Sequence, residues 1–278
     1  VQRRIGKTSL ITCLPQYFTD EQNGFKFVTL SFEEYKNQTI SKILNHLADQ
    51  IAANIENLPQ QVREKADGLE NFFELFLPII IDKYFSGKKL VLLLDECDVL
   101  KEDKTTTGIN VERNGKTLFY SLEKAVKQQE KLFAILVFGT PLKDIDYLEE
   151  FLHKKGQKAI EVGLLNQKGT RDLIVKPALG ILEYTEDAIE KIWELSAGQP
   201  SLTQLLCSNI FYYCRGKEKK KVEKGDVDSI LSKAMEQGEG VFSCFIHPLS
   251  NIQESFFRAV AEAQEIGIVN LEEINNKI

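Results

Sequence analysis

Apolar residues recur along this chain in two rhythms, and the change from one to the other divides it. In the first part, short apolar runs alternate with stretches of helical spacing. Phe25–Phe32 (FKFVTLSF) has the β-branched and aromatic content of a core strand and follows the turn pair Asn23-Gly24. Gly87–Leu94 becomes continuously apolar towards its end, as in a parallel strand covered by helices on both faces, and Leu132–Phe138 is a third run of this kind. Helices are predicted over Lys7–Tyr17, over Leu69–Tyr84 and over Lys116–Gln129. Another starts at the cap Thr39 and carries Ile40, Ile43, Leu44, Leu47 and Ile51 on one face. Lys101–Gly115 is polar and Thr-rich and reads as a loop. Strand and helix alternating in this way predict an α/β domain over residues 1–163, built on a doubly wound parallel sheet.

After about Gly163 only the helical rhythm remains. Asn166–Leu182, Thr185–Ser196, Ser201–Cys214 and Lys224–Gln237 follow one another with short connections. They predict an all-helical lid over residues 164–240, hinged near Gln157 to Asn166. Leu249–Ile278 reads as a helix, a turn and a second helix. That is the start of a winged-helix or helix-turn-helix module, assigned to residues 241–278.

The chemistry is concentrated in the first part. Val1-Gln2-Arg3-Arg4-Ile5-Gly6-Lys7-Thr8 fits the phosphate-loop pattern GxxxxGK[ST] at every fixed position but the first, where Val1 replaces glycine. In such a loop, backbone N–H groups from Arg3 to Ser9 converge on phosphate oxygens, and Gly6 removes a Cβ from their path. Lys7 reaches the β- and γ-phosphates, the Thr8 hydroxyl supplies a magnesium ligand, and the helix N-terminus adds its positive dipole end. A loop of this kind follows a buried strand, so the first strand of the sheet is expected outside the sequence, which reads as the middle of a longer protein. The bland alternative is a chance GKT at the start of a surface helix. A second motif weakens it: Leu90–Glu96 (LVLLLDE) is an apolar strand ending in two acids. Asp95 is expected to hold magnesium and Glu96 to polarise the attacking water as a general base. Alone, that pair would be an ordinary strand followed by an acidic helix cap.

Bulk properties narrow the class. The net charge of −6 argues against a broadly basic nucleic-acid surface, although Arg215–Lys224 forms a local basic run. The five cysteines are scattered without a CxxC pair, which points to reduced thiols and a cytoplasmic setting rather than a disulfide framework or zinc site. The longest apolar stretch, Phe72–Ile81, is too short for a membrane helix and contains Glu74 and Pro78.

The order GKTSL, LLLDE, FGTP, and then LSAGQPSLTQLL at Leu195–Leu206, resembles the STAND-type ATPases and, more narrowly, bacterial and archaeal AAA-like (AAA+-type) ATPase domains. The resemblance runs from Gln2 to about Glu236. It implies that Thr140, at the end of the strand Ala134–Thr140, senses the γ-phosphate or the lytic water. It also implies that Pro200 of the turn Gly198-Gln199-Pro200 lies against bound nucleotide; read locally, that turn is a helix C-cap followed by a helix-starting proline. The cofactors implied are ATP or ADP with Mg2+. The role implied is a slowly hydrolysing switch in signalling or defence, with self-association or an attached sensor or effector as partner. A DNA-associated ATPase (an initiator, loader or transposition regulator) is the alternative, less favoured by the acidic balance. A scaffold with a dead site is the third reading, opposed by intact Lys7, Thr8, Asp95 and Glu96. No arginine finger stands out; Arg113, Arg171 and Arg215 are the candidates.

Overall fold

The computed structural model describes residues 4–18, 24–35, 38–85, 87–100, 115–139, 159–247 and 249–265. It divides into two compact units, residues 7–161 and residues 162–278 grouped with 1–6. Thr140, Arg3, Arg113, most of the Lys101–Gly115 loop and the second helix expected before Ile278 lie outside the described residues.

In the unit 7–161, α1 (Lys7–Tyr17) precedes β1 (Phe25–Ser31). Helix α2 (Ile40–Ala52) starts at Thr39, whose hydroxyl accepts the Lys42 N–H. Residues 69–84 form the helical stretch α3, then come β2 (Lys89–Asp95), α4 (Gly115–Gln128) and β3 (Leu132–Leu136). All three strands are parallel, in the order β1-β2-β3, with Val28 opposite Leu92 and Leu92 opposite Ala134. The reversal of strand order that marks a doubly wound sheet is therefore not seen among the described strands. Both crossovers step the same way, and right-handed connections then place α2, α3 and α4 on one face. That face holds the core: Val28, Leu30, Leu90, Leu92 and Leu94 pack with Ile43, Leu44, Phe72, Phe76, Leu118 and Leu122. On the opposite face Phe18, just past α1, packs its ring against Phe25 and Phe27.

Helix α3 is less regular than its apolar spacing suggests. Phe72–Phe76 and Ile80–Tyr84 are π-helical on either side of the short α turn Leu77–Ile79, which contains Pro78. Leu77 N–H reaches back to the Phe72 carbonyl and Phe85 N–H to that of Ile80 (3.2 Å). Proline has no N–H to give, and the wider turns carry the ladder on both sides of it.

The second unit has its own core of Ile174, Ile189, Ile192, Leu206, Ile210, Val227 and Ile230. Four helices enclose it: α5 (Gln167–Ala178), α6 (Glu186–Ser196), α7 (Pro200–Gly216) and α8 (Lys224–Gln237). The expectation of an all-helical lid needs correction. Glu183–Tyr184 (β4) and Lys221–Val222 (β5) form a two-stranded parallel ladder. Two residues are too few to show an alternation, which is why the sequence reads them as connections. These strands pair with each other and not with β1–β3. Two further helices follow, α9 (Glu239–Ile246) and α10 (Asn251–Glu265). Among the described residues no helix is long and apolar enough to cross a membrane.

Candidate active site at the carboxyl ends of the strands

Parallel strands deliver their last residues to one edge of the sheet, and ligands of such sheets bind there. Thr8, one residue into α1, donates its hydroxyl to Asp95 Oδ2 at 2.6 Å, across 87 residues of sequence. Asp95 closes β2 and is only 3% exposed. Its second oxygen, Oδ1, accepts the Glu96 N–H at 2.9 Å, so both carboxylate oxygens are directed by named donors. The sequence-predicted Thr8, Asp95 and Glu96 are thus brought together, with Lys7 close enough for its charge to act on Glu96.

Glu96 leaves the strand through a left-handed backbone conformation, φ +52°. For a non-glycine residue this costs about 1–2 kcal/mol. Burial raises its carboxyl above the usual range, and the neighbouring charges of Asp98 and Asp95 add to the effect, while Lys7 opposes it. A carboxylate made more basic than usual suits a group that has to accept a proton from water. Cys97, fully buried behind it, has a thiol pushed well above its ordinary range by burial, so it is an inert packing group.

The phosphate loop itself is described from Arg4. Arg4 has φ +56° and Gly6 φ +94°, while Ile5 between them is buried. Among the described residues no atom lies within 4 Å of where a Gly6 Cβ would stand, and the positive φ by itself favours glycine here. Ser9 is exposed in the first turn of α1.

Asp98 and Gly139 are two site residues that the motif reading did not single out. Asp98 lies in the 3-10 turn Cys97–Leu100, and its Oδ1 accepts the Gly139 N–H at 2.7 Å. A Cβ on Gly139 would stand 3.3 Å from Asp98 Oδ2 and 3.3 Å from Glu96 Oε2. An acid three residues beyond Asp95 was the only sequence signal for this, and its partner is 41 residues further on.

In the other unit, α6 ends at Ala197 (φ +47°) and Gly198 (φ +74°), and Pro200 takes the first position of α7 behind the cap Gln199. The local reading of this turn as a C-cap followed by a helix-starting proline is what the backbone shows. Arg171, a candidate finger, forms a two-pronged ion pair with Glu186 in the first turn of α6, one prong at 2.6 Å. Arg215 is exposed near the end of α7.

The donor set is suited to magnesium. Among the described residues there is no cluster of three or more His, Cys, Asp or Glu side chains able to cage an ion. Mg2+ does not need one. It is commonly held by one or two hard oxygen ligands together with water and substrate phosphates, and Thr8 and Asp95 offer an adjacent hydroxyl and carboxylate.

In sequence, no family model and no curated protein matches the chain. In structure it is similar to the ORC2 protein of Aeropyrum pernix in ADPNP–ADP complexes, at a TM-score of 0.62 and 14% identity, covering 99% of this chain and 70% of that one. The Aeropyrum pernix ORC1 protein in complex with DNA gives a TM-score of 0.56 at 14% identity, covering 95% of this chain and 65% of that one. Drosophila ORC bound to DNA gives 0.55 at 15% identity, covering 95% and 61%. The chain thus spans somewhat under two thirds of the last two. At these identities the likeness establishes a shared fold and nothing of activity or partners. The narrower STAND resemblance has no counterpart among these structures.

Proposed function

We propose that this chain is an ATP-binding and ATP-hydrolysing module of a DNA-associated protein. The observation that carries the ATPase part is the 2.6 Å hydrogen bond from Thr8 to Asp95, with Glu96 beside it. It joins the two motifs that ATP hydrolysis requires at one sheet edge. Lys7 and the loop N–H groups from Arg3 to Ser9 bind the phosphates, and Thr8 and Asp95 hold magnesium. The ion, when bound, neutralises charge on the β- and γ-phosphates. Glu96 orients a water and accepts its proton, its basicity raised by burial and by Asp98 and Asp95. Thr140 and Pro200 keep the roles implied by family resemblance, contact to the γ-phosphate region and to the nucleotide.

The DNA-associated setting is favoured over the signalling or defence switch by the fold likeness to ORC proteins, two of them solved with DNA. The basic run offers a surface for it. Arg215, Lys217, Lys220, Lys221 and Lys224 are exposed, while Lys219 is engaged with Asp226 and Glu223.

Two measurements on the purified chain test this. Glu96→Gln keeps the side chain's shape and removes its basicity, so ATP affinity should persist while turnover falls about 10²-fold or more. Equal turnover in both proteins would reduce Glu96 to a structural acid. Duplex DNA binding should weaken steeply with salt, and charge reversal at Lys220, Lys221 and Lys224 should flatten that slope. Salt-independent binding, or no binding at low salt, would return the choice to the switch.

A further inference from the structure

We infer that Asp98 is a positioning residue for hydrolysis: it clamps the end of β3 beside Glu96 and so keeps the Glu96 carboxylate aimed into the site. The inference rests on the ATPase reading above. Beyond Leu136 the link between β2 and β3 continues through three hydrogen bonds. Val137 N–H donates to the Leu94 carbonyl (2.8 Å), Cys97 N–H to the Val137 carbonyl (2.9 Å) and Gly139 N–H to Asp98 Oδ1 (2.7 Å). The first two are backbone to backbone and straddle Glu96 in sequence. The third uses a side chain, and it is the one that reaches Gly139.

Glu96 needs such a restraint. Its left-handed backbone makes it a sharp corner between Asp95 and the 3-10 turn. Its own carboxylate faces the like charges of Asp95 and Asp98 and, further off, Glu33. Repulsion among these groups favours any rotation that spreads them. Gly139 acts as a wedge against that spread, because it borders both groups: a Cβ built on it would stand 3.3 Å from Glu96 Oε2 and 3.3 Å from Asp98 Oδ2. The charge-assisted bond from Gly139 to Asp98 holds the wedge in place. Loss of Asp98 frees the β3 end, and a base displaced by about 1 Å costs on the order of 10²-fold in rate.

The test measures ATP affinity by calorimetry and phosphate release on the full chain for Asp98→Ala, Asp98→Asn, Glu96→Gln and the double variant E96Q/D98A. Asp98→Ala should lose about 10-fold or more in turnover with ATP affinity within about twofold of wild type. Asp98→Asn, whose amide oxygen still accepts the Gly139 N–H, should restore most of that rate. In the Glu96→Gln background, removing Asp98 should cost little more, because a residue that acts through Glu96 has nothing left to position. A structural residue would instead add its loss in both backgrounds and lower affinity and melting temperature together. Should Asp98→Ala fail to fold, Asp98→Ser, whose hydroxyl falls short of the Gly139 N–H, takes its place. Unchanged turnover in that variant, or full additivity with Glu96→Gln, overturns the clamp alone. A wild-type chain that binds ATP without hydrolysing it overturns the ATPase reading, and the clamp with it.

Discussion

Replacing Gly198 by alanine should unfold the helical unit well before the wild type. Gly198 has φ +74°, and an alanine there costs about 1–2 kcal/mol in backbone conformation alone. The added Cβ would also stand 2.1 Å from the Leu165 carbonyl oxygen and 2.7 Å from Trp193 Cζ3. Neither neighbour can swing away cheaply, since one is backbone and the other a ring, and forced repacking of this kind costs roughly 1–3 kcal/mol. Any shift of the 198 backbone further strains the bond from Leu165 N–H to the Gly198 carbonyl (2.9 Å), about 1 kcal/mol. Together these give roughly 3–6 kcal/mol. At about 4 °C per kcal/mol for a unit of this size, the melting temperature falls by roughly 12–24 °C. Trp193, the chain's only tryptophan, belongs to this unit and lies at the point of insult, so its fluorescence follows the transition directly. Gly225→Ala is the control: it lies in α8, with nothing within 4 Å of the new methyl and an ordinary helical backbone. It should be neutral or slightly stabilising. If Gly198→Ala melts within a degree or two of Gly225→Ala, the steric argument is wrong.

The other expectations concern Thr8, proposed as a metal ligand, and a buried carboxylate. Thr8→Val keeps the shape and removes the hydroxyl; nucleotide affinity with Mg2+ should fall towards the value in EDTA, and an unchanged magnesium dependence in calorimetry would remove Thr8 from the ligand set. Burial alone would raise the Asp226 carboxyl, but the Lys219 ammonium (2.5 Å) and the Glu223 N–H (2.8 Å) outweigh it and hold it below its ordinary range. A group depressed in this way stabilises the fold above its unfolded value, about 3.9, and the contribution is lost as pH falls through the lower folded value. Stability read at Trp193 should therefore decline from about pH 4 downwards, more steeply in wild type than in Asp226→Asn; parallel pH curves would show that Asp226 contributes nothing.

What was legible in the sequence was whatever repeats within one element. Lys7–Tyr17 and Lys224–Gln237 are helices at the expected residues, and Thr39 caps the helix it was expected to cap. Their signals, apolar spacing and a cap, are complete inside a dozen residues. The juxtaposition of Thr8 with Asp95 was legible too, because the two motifs carry chemistry that is useful only together. The order of the strands was not, since alternation alone does not state which strand neighbours which. The π-helical turns around Pro78 were hidden because their apolar residues keep nearly the same spacing as an α-helix. Asp98 was hidden for a different reason. Its acceptor oxygen has meaning only once Gly139 is beside it, and nothing in the residues near 98 points to 139.

The cation at the amino ends of the strands bears on how the aromatic rings there meet water. Strand β3, LFAIL, is paired only with β2 among the described strands, and Phe133 and Ile135 are 41% and 37% exposed. A charge stands over the neighbouring rings: the Lys89 ammonium lies 5.3 Å from the Phe25 centroid and 5.9 Å from that of Phe133. Neutralising Lys89, by acetylation or by Lys89→Gln, would therefore remove a cation–π contact of roughly 0.5–1 kcal/mol and leave both rings facing water without it.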